Sequence, residues 1–117
     1  MGINSYTVVN LIAAAAAKQY VVAGPINFQA GTAVPLSATP QKVTQLEIYG
    51  YKSIGTNTIP VPNTSAGWAG VGANGLTDTI AAGGKVLLKP FGGTSFDLSN
   101  VYVLGSAGDS VYIKYLQ

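Results

Sequence analysis

The only carboxylic acids in this chain are Glu47, Asp78, Asp97 and Asp109, and histidine, cysteine and arginine are absent. Without histidine, general acid–base catalysis loses its commonest agent. Without cysteine there is no thiol nucleophile and no disulfide framework. A zinc site would rest on carboxylates alone, which suit that metal poorly. Paired carboxylates can cleave a glycosidic bond, and Asp78 with Asp97 is the one pair worth considering, but no neighbouring residues mark a cleft around them. The expectation is a protein with no catalytic residues, no metal and no cofactor.

One motif mimics a nucleotide site. Gly70-Val71-Gly72-Ala73-Asn74-Gly75 fits the spacing G-x-G-x-x-G, with Asp97 further along as a candidate ribose ligand. That fingerprint works only between a strand and a helix, where the phosphate meets the helix N-terminus. Here Pro62 to Trp68 reads as loop and Leu76 to Ile80 reads as strand, so the match is assigned to glycine abundance. Asn63-Thr64-Ser65 is a glycosylation sequon by pattern alone. Trp68, the single tryptophan, stands in a glycine-rich stretch. Three roles compete for it: an anchor of that loop to the core, an interface hot spot, or a platform for sugar stacking. The tyrosines at 49, 51, 102, 112 and 115 are explained as strand residues, since aromatics suit a pleated, half-buried surface.

Charged residues are 9% of the 117, against about a quarter in ordinary soluble domains. The surface must therefore be largely neutral polar and apolar, which favours burial against neighbours at low desolvation cost. The bland alternative is a free-standing neutral β domain. The net charge of +2 comes from six scattered lysines. Nucleic-acid binders concentrate their charge and favour arginine, so no nucleic-acid partner is expected.

The elements that would position these residues are mostly strands. Residues 1–24 form an alanine-rich arm, with a helix expected over residues 6–18 because alanine favours helix and Gly24-Pro25 forbids its continuation. Val21 and Val22 can already be extended. The arm is too short and too interrupted to span a membrane, lacks a basic signal-peptide start, and has Tyr6 where a myristoylation motif wants Ser or Thr. Its candidate interface residues are Val8, Leu11 and Ile12. Residues 25–117 form a single β domain. Lys42 to Tyr51 reads as a strand with Leu46 and Ile48 inward and Val43 out of phase. Residues 53–75, rich in glycine and proline, read as irregular, with one short strand at Thr58 to Val61. Leu76 to Ala81, Lys85 to Lys89, Val101 to Leu104 and Ser110 to Leu116 complete the set, and in the last of these Val111, Ile113 and Tyr115 share one face. The regular spacing predicts an antiparallel β-sandwich or jelly-roll-like barrel.

The segments "KVTQLEIYGY", "AAGGKVLLKP" and "DLSNVYVLGSAGDSVYIKYL" together resemble small virion proteins of tailed bacteriophages. The likeness runs over residues 41–117; Gly84-Lys85 stands where relatives often place an acid, and the first forty residues share none of it. The resemblance implies a non-enzymatic structural protein located in the virion and made in the bacterial host cytoplasm. Its first form is a capsid decoration (cement) protein that binds the major capsid protein or other virion proteins, as a homo-oligomer with a trimer among the options. The alternatives are a carbohydrate- or receptor-binding module of a fibre or tail, using Trp68 and neighbouring tyrosines, and a head–tail connector subunit.

Overall fold

The computed structural model describes residues 20–55, 59–88 and 95–117. The helix expected over residues 6–18, with Val8, Leu11 and Ile12, lies outside the described residues. The described chain is mainly β. Its strands are β1 (Tyr20–Asn27), β2 (Val34–Pro35), β3 (Lys42–Val43), β4 (Gln45–Tyr49), β5 (Tyr51–Lys52), β6 (Val61–Pro62), β7 (Gly67–Val71), β8 (Leu76–Ile80), β9 (Lys85–Leu88), β10 (Phe96–Asp97), β11 (Val101–Leu104) and β12 (Ser110–Leu116). A single 3-10 turn, Leu98–Asn100, separates β10 from β11.

Alternating side chains in β4 and β12 become alternating burial. Leu46, Ile48, Val111 and Ile113 are at most 1% exposed, while Glu47, Tyr49, Tyr112 and Lys114 keep partial access to solvent on the opposite face. Four antiparallel strands in the order β1-β12-β4-β9 make the first sheet, and β2-β11-β7-β8 make the second. Both sheets contribute to one core: Leu46, Ile48, Leu88, Val111 and Ile113 from the first, and Ala69, Ile80, Val101 and Val103 from the second, with Phe28, Leu36, Val43, Phe96 and Leu98. Each fully buried aliphatic side chain stabilises the fold by about 1.5–3 kcal/mol.

Val43 is out of phase for a topological reason. The chain changes partners at Thr44: β3 pairs with β10, whereas β4 pairs with β12 and β9. The Thr44 backbone N–H (2.7 Å) and side-chain hydroxyl (3.2 Å) both donate to the Leu116 carbonyl, which fixes the step. Val43 and Leu46 therefore both point inward and are both fully buried. The boundary drawn at residue 24 falls within β1, whose Tyr20 to Ala23 pair with Leu116 to Ile113.

Residues 53–75 hold more regular structure than glycine content suggests. β6 occupies Val61–Pro62 and β7 occupies Gly67–Val71, so Trp68 lies on a strand and not in a loop. The G-x-G-x-x-G segment is the hairpin between β7 and β8, with a register shift at Ala69/Gly70. Its glycines are required by close backbone approach: a Cβ on Gly70 would overlap the Gly75 carbonyl, and one on Gly75 would overlap the Val71 carbonyl. Strand follows these glycines where a dinucleotide site needs a helix.

Candidate functional site

The outward face of the first sheet collects aromatic rings from strands far apart in sequence. Register places Val22, Lys114, Glu47 and Leu87 in one row across β1, β12, β4 and β9, and Tyr112, Tyr49 and Lys85 in the next. Tyr49, Tyr51 and Tyr112, with Val22, Pro60 and Lys114, line a groove of about 450 Å³. Two rings are held by their hydroxyls, Tyr49 donating to Glu47 Oε2 (2.6 Å) and Tyr51 to the Gly83 carbonyl (2.9 Å). The Tyr112 ring lies against Gly24, where a Cβ would come within 2.9 Å of the ring and where φ is +131°. Only glycine adopts that backbone readily. Val22 is 69% exposed and Tyr20 52%, so this face presents apolar surface to its surroundings.

Charges on the same face are arranged around Glu47. Lys85 Nζ is 3.7 Å from Glu47 Oε2 and stands over the Tyr49 ring at 5.8 Å, while Lys114 Nζ stands 4.7 Å over the Tyr20 ring. The Tyr49 hydroxyl, helped by Lys85 and Lys114, holds the Glu47 carboxyl below its ordinary value of 4.5 despite the opposing effect of desolvation. The same hydrogen bond raises the Tyr49 phenol above 10.0. Tyr20 donates to Gln45 Oε1 (2.6 Å), bridging over Leu116 between β1 and β4.

Asp109 is a structural acid. It is 1% exposed, yet it accepts from the Thr64 N–H (2.9 Å), the Thr64 hydroxyl (2.9 Å) and the Ser65 N–H (3.1 Å), and Lys52 Nζ lies 3.3 Å away. Burial acts to raise its pKa, but the Thr64 and Ser65 hydrogen bonds and Lys52 outweigh it, leaving the carboxyl below its ordinary 3.8. Asn63 beside it is 6% exposed, donating to the Ser110 carbonyl (2.7 Å) and accepting from the Ser110 N–H (3.2 Å). The sequon is thus a clamp between the β6 exit and the start of β12, and its buried Asn63 amide is already committed. Asp97 is used similarly. Its Oδ1 accepts from the Ser99 hydroxyl (2.7 Å), the Ser99 N–H (2.9 Å) and the Gln41 N–H (3.2 Å), and the Ser99 bonds lead in holding its pKa below 3.8. Among the described residues no group of three His, Cys, Asp or Glu is placed to hold a metal ion.

Trp68 lies on β7 of the second sheet. It is 45% exposed and sits in register between Leu104 on β11 and Thr79 on β8. The adjacent row runs Pro35, Tyr102, Gly70 and Leu76. Neither row carries a charge, and Val71 at the strand end is 50% exposed. Trp68 thus lies on a different sheet from Tyr49 and Tyr112. Only the outward phase of Tyr49, Tyr51 and Tyr112 in their strands hinted at the groove. Comparison with protein families, characterised proteins and solved structures finds no match to this chain.

Proposed function

We propose that this chain is a non-enzymatic structural protein of a tailed-phage virion, a capsid decoration protein built as an antiparallel β-sandwich. The observation that carries the reading is the uncharged outer face of the second sheet around the half-exposed Trp68, with Leu104 and Tyr102. A half-exposed tryptophan among neutral residues has the composition of an interface centre, where aromatics are enriched and charges depleted. The low charge of the chain as a whole fits a surface that is covered on assembly. The partner is the major capsid protein or another virion protein, and Val8, Leu11 and Ile12 of the arm add a second uncharged contact. Self-association into a homo-oligomer, a trimer among the options, lets many modest patches act together, each copy stabilising the bound shell by mass action.

The test compares particles carrying the protein with particles lacking it, under heat and osmotic shock. Decorated particles should survive longer, and Trp68→Ala protein should keep its cooperative melt while binding particles about thirtyfold more weakly, a loss of about 2 kcal/mol. Binding should change little between low and high salt, because screening weakens only charge-dominated contacts. Equal survival of both particle types would overturn the cementing role.

A further inference from the structure

We propose that the tyrosine groove on the first sheet is a binding site for an acidic saccharide, a short run of uronate-type sugars. This inference stands apart from the virion reading, because it concerns the first sheet and is measured on the isolated protein. A volume of about 450 Å³ lies within the range of small-ligand sites. Its walls are the rings of Tyr49, Tyr51 and Tyr112 with Val22 and Pro60, flat apolar surfaces that match the C–H face of a pyranose ring. The rings are set before any ligand arrives, by the Glu47 carboxylate, the Gly83 carbonyl and the close approach of Gly24. Preorganised side chains lose less entropy on binding.

Charge selects the class of sugar. Among the described residues Lys114 is the only charged one in the lining. Its ammonium rests over the Tyr20 ring, and among the described residues no carboxylate comes within ion-pairing distance of it. Glu47 faces it across the strands, but Glu47 Oε2 already receives the Tyr49 hydroxyl and Lys85. The Tyr112 hydroxyl likewise has no hydrogen-bond partner among the described residues. The groove thus offers one cation and one free hydroxyl above a floor of rings. A sugar carboxylate satisfies the cation and a ring or hydroxyl oxygen satisfies Tyr112, while the pyranose body covers the tyrosines. A neutral sugar leaves Lys114 with only the longer-range attraction of Glu47, and a bare carboxylate leaves the rings uncovered.

Isothermal titration of the full chain with trigalacturonate, its fully methyl-esterified counterpart and acetate tests this. The acid trimer should bind saturably at one site, with the ester about tenfold weaker, as expected when a charged hydrogen bond is lost. Lys114→Gln should weaken the acid trimer by about tenfold and leave the ester unchanged. Tyr112→Ala should lose at least as much, Tyr112→Phe less, and Trp68→Ala nothing. If Tyr112→Ala does not fold, Lys114→Gln and Tyr112→Phe still decide the matter. The proposal is overturned by an absence of saturable binding at millimolar trimer, by equal affinity for acid and ester, by acetate binding as tightly as the trimer, or by a Lys114→Gln variant with wild-type affinity.

Discussion

Replacing Asp109 by Asn should unlock the turn before β12. The carboxylate is buried, and its two oxygens receive different N–H groups, Thr64 on Oδ1 and Ser65 on Oδ2. An amide of the same shape supplies only one acceptor oxygen, so one N–H would face an NH₂ group and lose its partner. Hydrogen bonds to a charged group contribute about 1.5–3 kcal/mol, and breaking a buried ion pair costs about 3–5 kcal/mol. The upper figure does not apply in full, because the Lys52 side chain keeps 16% exposure and can turn to water. A loss of about 3 kcal/mol at pH 7 follows, visible as a shift of the denaturant midpoint without a change in slope. The pH dependence gives a second signature. The folded-state pKa of Asp109 is depressed below 3.8, so its stabilising effect is complete above the unfolded value and is lost as pH falls through the folded one. Wild type and Asp109→Asn should therefore differ fully at pH 7, with the gap narrowing as pH falls below the ordinary 3.8 toward the depressed folded value. A variant that loses less than about 1 kcal/mol, or a gap that stays constant down to pH 2.5, would refute the assignment of Asp109 as the charged clamp.

Other perturbations probe other parts of the argument. Gly70→Ala forces a Cβ onto the Gly75 carbonyl and should destabilise by about 2–3 kcal/mol, whereas Ala73→Gly in the same hairpin should cost under about 1 kcal/mol; equal losses in urea melts would contradict the close-approach explanation. Removing residues 110–117 takes out the strand between β1 and β4, and should abolish the cooperative melt; a truncated protein with an unchanged transition would show that the first sheet does not depend on β12.

The parts of the fold legible in the sequence are those whose partners matter least to the pattern. β12 and β4 alternate cleanly because one face of each meets the shared core along its whole length. β7 was hidden because its burial is achieved by backbone: Gly67 lies against the Leu104 carbonyl and the Phe28 ring, and Gly70 against Gly75, so the residues that signal a loop are those a crowded strand requires. The clamp on Asp109 depends on Thr64, forty-five positions away, and a lone acid in a Gly-Asp turn carries no trace of that partner. The tyrosine groove fails to declare itself for a related reason. Tyr49 and Tyr112 become neighbours only through the β4–β12 register, which no local pattern encodes, and Trp68 drew attention by rarity while lying on the other sheet.

The first sheet also sets a clock. β1 and β4 are joined only through β12, which begins at Ser110, long after β4 ends at Tyr49. At a synthesis rate of about 5–20 residues per second, the two earlier strands wait roughly 3–12 s for the strand that unites them. During that interval β1 has no strand to pair with and β4 has only β9, made at residues 85–88, and pairing between distant segments is intrinsically slow even once the chain is made. A nascent chain arrested between these strands would therefore be the form most exposed to aggregation or to a chaperone. Elongation speed across residues 50–109 should influence the yield of folded protein more than speed across residues 20–49.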